Sequence, residues 1–274
     1  MLHTSPELVS KKNSIYILEI RDKKAGMDSN PLACLLLDRY EQYRYDEGRI
    51  TGAHIEIKYQ RIRKNSDNFN GSSPDTGNFC AGYSKGFERE YVSLTSKSIS
   101  EGAVFLDLPG LEGQRIGTYL MSALVEWAMR WPSAELARFT LSSLQADEFN
   151  KDRRNRFYDN YNIKFDFHTP ENLSGKSKKM LVRELTPVDT WKENIREISI
   201  SNYIGQLLDK ENSDGWELIR KDNVIKSLRQ SINDAESSPV KWVMQQLWSR
   251  YGAWLLEGLI VVLAILGIVF LIDF

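Results

Sequence analysis

The segment from Val104 to Ala128, VFLDLPGLEGQRIGTYLMSALVEWA, decides the fold class of this chain. It begins as an apolar, strand-like run, passes through a turn that contains glycine, and enters a helix directly. Apolar residues then recur at helical spacing as far as Trp131, and Pro132 closes the pattern. The sequence therefore predicts a strand, a tight turn and a helix from Gly113 to Trp131.

The turn between strand and helix is a natural site for an anion. The first amides of a helix have no partners within it, and the helix dipole is positive at that end. Glycine allows a phosphate to approach the backbone closely, and Arg115 could add a charge-assisted hydrogen bond. The alternative is an ordinary strand-to-helix turn. The residues of the turn are Leu111, Glu112, Gly113, Gln114, Arg115, Ile116 and Gly117.

Strand patterns precede this segment, and mixed patterns follow it. The predicted earlier strands are Ser14–Arg21, Leu32–Leu37, Arg49–Ile62, Glu90–Ile99 and Gly102–Leu108. Residues 64–86 are rich in Asn, Ser and Gly, which predicts a long exposed loop. The predicted later elements are a strand at Leu136–Leu144, a helix at Asp147–Tyr161, and strands at Lys164–His168 and Lys179–Leu185. Strand–helix–strand order implies parallel pairing and an α/β core with a mixed sheet.

A second phrase, RRNRFYDNYNIKFDF from Arg153 to Phe167, follows one helix and one strand later. With the turn, it resembles the GNAT superfamily of acetyl-CoA-dependent N-acyltransferases. That family has an R/Q-x-x-G-x-G/A turn and then a helix bearing N-x-F-Y-x-x-x-G-F. Here the phrases are Glu112–Gly117 and Asn155–Ile163, and the resemblance covers roughly residues 102–186. Glu112 replaces the family's Arg or Gln, Arg115 replaces its first Gly, and Gly117 is kept.

The resemblance implies acetyl transfer from acetyl-CoA to an amine. It implies that cofactor-binding residues are Leu108, Gly113, Gln114, Arg115, Ile116, Gly117, Thr118 and Asn155. Tyr158 corresponds to the tyrosine that protonates the departing CoA thiolate. Asp107 is the preferred candidate for the base that deprotonates the amine, and Glu56 and His54 are the other candidates.

The sequence leaves two alternatives to this enzyme open. The first is a non-catalytic interaction module, because an acidic Glu112 near a pyrophosphate is unfavourable. The second is a toxin-like acetyltransferase that acts on aminoacyl-tRNA. Against this second alternative, the chain has 36 basic and 37 acidic residues and a net charge of −1. That balance gives no electrostatic case for nucleic-acid binding. Two cysteines and three histidines form no zinc-like spacing, so no metal site is predicted.

The last stretch of the chain predicts a membrane anchor. Gly258–Ile272 reads GLIVVLAILGIVFLI, and residues 251–272 are long enough to span a bilayer as a helix. Trp242, Trp248, Tyr251 and Trp254 precede it, as an interfacial aromatic belt would. Basic residues lie only before the span, which predicts a single-pass membrane protein with a cytoplasmic N-terminal domain. A buried core helix is the alternative.

The predicted domains are a GNAT-like domain at 1–187, a helical linker at 188–250 and the anchor at 251–274. Within the linker, Trp191–Lys210 and Trp216–Ala235 are predicted as two helices. The expected partners are acetyl-CoA, an amine acceptor and the lipid bilayer, and the chain could form an oligomer.

Overall fold

The computed structural model describes residues 8–62, 75–98, 106, 108–143, 150–251 and 254. The chain divides into two compact units, Met1–Ile204 and Gly205–Phe274. The first unit extends past Pro187, where the sequence placed a boundary, because a strand at Ile195–Ser199 pairs with the first strand of the chain.

A seven-stranded mixed sheet forms the body of the first unit, in the order β10-β1-β2-β3-β4-β5-β6. Neighbours are antiparallel except β5 and β6, which are parallel. Its strands are β1 (Leu8–Arg21), β2 (Pro31–Asp46), β3 (Arg49–Ile62), β4 (Thr76–Lys85), β5 (Glu90–Ser93), β6 (Glu135–Leu136) and β10 (Ile195–Ser199). A second, antiparallel sheet has the order β7-β9-β8, with β7 (Thr140–Leu141), β8 (Phe165–Phe167) and β9 (Gly175–Ser177).

Four helices are described, and the first connects the parallel strand pair. They are α1 (Ile116–Ala128), α2 (Lys151–Asn160), α3 (Ile200–Ser237) and α4 (residues 239–251). Helix α1 packs against β3 and β4. Its Leu120, Leu124 and Trp127 join the buried core with Ile55 and Ile57 of β3. A helical crossover is what a parallel pair such as β5 and β6 requires.

The predicted loop at residues 64–86 is wrong in its second half, where β4 lies. Its Phe79, Ala81 and Tyr83 alternate into the core. The glycines that indicated a loop instead allow close approach. A Cβ at Gly77 would lie 2.2 Å from the Tyr59 hydroxyl, and one at Gly82 would lie 2.4 Å from the Lys97 carbonyl oxygen. Residues 63–74 lie outside the described residues.

Two further predictions differ from the structure. The predicted strand at Lys179–Leu185 is a 3-10 turn at Val182–Glu184 with one bridge, from Leu181 to Glu135. The two predicted linker helices are one helix, α3, and β10 occupies part of the first. Gly215 does not break α3, because a glycine inside an exposed helix costs only about 1 kcal/mol relative to alanine.

The predicted fold class included a C-terminal membrane-spanning helix, and that part of the prediction is wrong. Within the residues that the structure describes, no helix is long and apolar enough to cross a bilayer. Charged residues recur along α3 and α4, which is incompatible with an apolar span of about 20 residues. This finding contradicts the predicted anchor and leaves the single-pass location unsupported. Residues 252–253 and 255–274 lie outside the described part of the chain.

Candidate functional site

A cleft of about 740 Å³ opens between the turn that precedes α1 and the helix α2. Five of its lining residues are basic, and the side chains of Leu106, Leu108, Leu111 and Phe157 form an apolar wall. The residues that line it include Lys23, Leu106, Leu108, Leu111, Glu112, Gly113, Arg115, Ile116, Gly117, Thr118, Arg153, Arg154, Arg156, Phe157 and Tyr158. The cleft thus brings together Tyr158 and most of the predicted cofactor-binding residues, with Gln114 and Asn155 outside its lining.

Two successive tight turns lead the chain into α1. The Leu111 N–H donates to the Leu108 carbonyl at 3.0 Å, and the Gln114 N–H donates to the Leu111 carbonyl at 3.2 Å. The third residue of each turn is glycine in the left-handed region, with φ of 79° at Gly110 and 76° at Gly113. Glycine is favoured there because a Cβ would strain the backbone. The turns fix where α1 begins.

The first turn of α1 presents unpaired amides at the cleft. Arg115 is the N-cap, with φ of 65° and no side-chain cap. The first helical hydrogen bond runs from the Tyr119 N–H to the Arg115 carbonyl at 2.9 Å, so the amides of Ile116, Gly117 and Thr118 precede the helical ladder. These three residues all line the cleft. The arrangement suits an anion.

The side chains of Gln114 and Arg115 hold the turn in place through contacts with residues on both sides of the first unit's sequence. Gln114 Oε1 accepts a hydrogen bond from the Lys23 N–H at 2.9 Å. The Arg115 guanidinium forms an ion pair with Glu193 at 2.8 Å and donates to Asn194 Oδ1 at 3.2 Å. Gln114 therefore supports the site from outside the cleft.

Asn194 is a fully buried residue that sequence reasoning missed. Its Nδ2 donates to the Arg21 carbonyl at 2.9 Å and to the Gln114 carbonyl at 3.2 Å. Its backbone carbonyl accepts from the Arg21 N–H at 2.8 Å. It thus ties the turn to the end of β1, and no local signal in the sequence marks that role.

Four cations of the cleft lining have no carboxylate partner among the described residues: Lys23, Arg153, Arg154 and Arg156. Lys23 was not among the predicted site residues. Its ammonium lies 3.7 Å from where a Cβ of Gly113 would be, so it faces the turn. Glu112 is the one acidic residue in the described lining. The balance of charge in the cleft therefore favours an anionic ligand.

Arg154 is a buried guanidinium that is satisfied by neutral oxygens. It is 8% exposed and donates to the carbonyls of Ser142 at 2.8 Å and Leu173 at 3.0 Å. It also donates to Asn155 Oδ1 at 3.0 Å, and Asn155 Nδ2 donates to the Asn172 carbonyl at 3.2 Å. The predicted cofactor-binding Asn155 therefore positions Arg154. Burial lowers the pKa of Arg154.

Tyr158 and Tyr161 have different environments. Tyr158 lines the cleft, packs against Phe157 and Phe165, and has no hydrogen-bond partner for its hydroxyl among the described residues. Burial raises the pKa of Tyr158 to about 12, and the nearby Arg154 opposes that rise. Tyr161 is fully buried, and its hydroxyl donates to the Thr118 carbonyl at 2.7 Å. Of these two tyrosines, Tyr158 lines the cleft and Tyr161 does not.

Two of the three candidate bases, Glu56 and His54, lie outside the described lining of the cleft. Asp107 lies outside the described residues. Glu56 is ion-paired with Lys97 at 2.8 Å and accepts from Asn78 at 3.2 Å, and it does not line the cleft. His54 stacks at a tilt on Tyr40, with ring centroids 5.7 Å apart, and is also outside the lining.

Comparison with protein-family models, curated proteins and solved structures finds no match to this chain. The resemblance to GNAT acyltransferases therefore rests on the two sequence phrases. Independently of it, the cleft has the physical character of a site for an anionic ligand with an apolar portion.

Proposed function

We propose that this chain is an acyl-CoA-dependent N-acetyltransferase. One observation carries the proposal: a single cleft joins the open amides of α1, four cations without carboxylate partners and the buried Tyr158. Acetyl-CoA has a matching composition, with an anionic diphosphate at one end and an apolar, thioester-bearing arm at the other.

The amides of Ile116, Gly117 and Thr118 would bind the diphosphate, with Lys23 and Arg156 adding charge. Gly117 leaves room for this contact. A Cβ there would stand 3.5 Å from Leu106 and 3.7 Å from Phe157, at ordinary contact distance from the apolar wall. The same wall would cover the arm that carries the thioester.

In the proposed reaction a neutral amine attacks the thioester carbonyl. A C–N bond forms, the C–S bond breaks, and the thiolate takes a proton. Tyr158 would supply that proton, because its raised pKa keeps the phenol protonated at neutral pH. The amine's own proton leaves to solvent water, because neither Glu56 nor His54 lines the cleft.

The direct test is transfer of labelled acetyl groups from acetyl-CoA to a panel of primary amines. We expect transfer by the wild type and a loss of transfer in Gly117→Val, whose added methyl groups would fill the space beside the amides that are proposed to bind the diphosphate. Gly117→Ala is the matched control, because its single methyl fits at contact distance. Absence of transfer by the wild type to every amine would contradict the proposal.

A non-catalytic acyl-CoA-binding module is the second candidate. Glu112 in the cleft lining favours it, as does the position of Glu56 and His54 outside that lining. The outcome that distinguishes it from the enzyme is tight acetyl-CoA binding with no transfer to any amine.

A further inference from the structure

Helix α3 exposes a long apolar face in the second unit of the chain. None of its side chains is buried. Leu218 is 67% exposed, Ile225 46%, Leu228 57% and Ile232 56%. An isolated helix gains little stability from propensity alone, and contiguous exposed apolar surface of this kind marks an interaction site.

The spacing of this face is that of a coiled coil. Leu218, Ile225 and Ile232 recur every seven residues, and Leu228 and Ala235 follow the last two by three. These are the a and d positions of a heptad repeat. Lys221 occupies the remaining d position. Its ammonium pairs with Glu217 at 2.7 Å, which leaves the aliphatic part of the side chain free to cover the seam.

We propose that this face binds the same face of a second copy of the chain, as an antiparallel coiled coil. The charges beside the seam decide the partner and its direction. With Ile225 packed against Leu228 of the partner subunit, Asp222 lies beside Arg229 of the partner subunit, and the pair is repeated by symmetry. A parallel pairing would instead place Asp222 beside Glu217 of the partner subunit, which is repulsive.

Arg229 is available for this contact, because it has no ion pair among the described residues. Asp222 is exposed and pairs with Lys226 of its own helix at 2.7 Å, an arrangement that leaves its carboxylate at the surface. Both charges thus border the apolar face and remain accessible to a second copy.

Sedimentation velocity of the full chain over a concentration series tests the interface. We expect a reversible dimer for the wild type and a monomer for Ile225→Asp. The matched control is Ile219→Asp, since Ile219 is similarly exposed at 54% but lies off the seam, and this variant should remain dimeric. A wild type that is monomeric at every concentration, or a dimeric Ile225→Asp, would overturn the proposal.

Charge reversal tests the direction of pairing. Asp222→Arg alone and Arg229→Asp alone should each weaken the dimer about tenfold, because two ion pairs become repulsive. The double variant should restore wild-type affinity. A parallel dimer would respond differently, since Asp222→Arg would gain attraction to Glu217 of the partner subunit. Stronger dimerisation of that single variant would therefore overturn the antiparallel arrangement.

Discussion

The hydroxyl of Tyr161 donates a hydrogen bond to the carbonyl oxygen of Thr118 at 2.7 Å, which fastens the end of α2 to the first turn of α1. The same hydroxyl lies 3.0 Å from Ser122 Oγ. This contact holds the helix that carries Tyr158 against the turn that carries the open amides. The geometry of the cleft therefore depends on a residue that does not line it.

The first prediction concerns stability. Tyr161→Phe removes the buried hydrogen bonds of its hydroxyl with the Thr118 carbonyl and Ser122 Oγ, so the free energy of unfolding should fall by about 1–3 kcal/mol. Tyr158→Phe is the matched control and should change stability much less, because its hydroxyl has no partner among the described residues. Urea unfolding of both variants checks this. Equal destabilisation of the two would contradict the assigned roles.

The second prediction concerns catalysis by Tyr158. Under the proposed function, Tyr158→Phe should lower kcat by about 10² to 10⁴ with little change in KM, because only the proton donor is lost. Since burial raises the pKa of Tyr158 to about 12, the wild type should show no loss of activity from its deprotonation at ordinary pH. Steady-state kinetics across pH measure both effects. Unchanged kcat in Tyr158→Phe would remove the assignment.

The third prediction concerns Asn194. Asn194→Ala removes buried hydrogen bonds to Arg21 and Gln114, and we expect a loss of roughly 3 kcal/mol in the free energy of unfolding. The turn should also shift, so affinity for acetyl-CoA should fall. Asn223→Ala, at an exposed site on α3, serves as the control. A variant with wild-type stability would show that Asn194 does not hold the turn.

The fourth prediction is a pH dependence of stability from Glu56. Burial raises the pKa of this carboxyl, but hydrogen bonds from Lys97 and Asn78 outweigh it, and the pKa is lowered from 4.5. A group with a lowered folded pKa stabilises the protein above its unfolded pKa and loses that effect as pH falls through the folded pKa.

The stability advantage of the wild type over Glu56→Gln should therefore be present at neutral pH and shrink as pH falls below 4.5. Denaturant unfolding across the acid range measures it. A difference that is constant with pH would show that the ion pair with Lys97 contributes nothing to acid sensitivity.

Local patterns predicted the parts of the fold whose causes are local. The alternation in Arg49–Ile62 predicted β3 with its observed bounds, because its inward side chains are apolar and buried. The glycines of β4 were misinterpreted because their role is close approach to Tyr59 and Lys97, which lie far away in sequence. The predicted membrane-spanning helix is contradicted because, among the residues that the structure describes, no helix is long and apolar enough to cross a bilayer.

The candidate site was predictable where the turn defines it and not where distant residues complete it. The glycines and the start of the helix at residues 111–117 predict the open amides. Lys23 and Asn194 reach the turn from the far ends of the first unit, and no pattern near either residue marks that contact. Lys23 and Asn194 come close to the turn only in the folded chain, where β1 and β10 are paired.

The central claim is that the cleft binds acetyl-CoA through the turn and its cations, and calorimetric titration of the full chain tests it most directly. We predict one-to-one binding that weakens with added salt and in Lys23→Gln, because Lys23 faces the turn. Lys24→Gln, one residue along and outside the cleft lining, should bind like the wild type. Absence of binding, or equal affinity in the Lys23→Gln and Lys24→Gln variants with no effect of salt, would contradict the account.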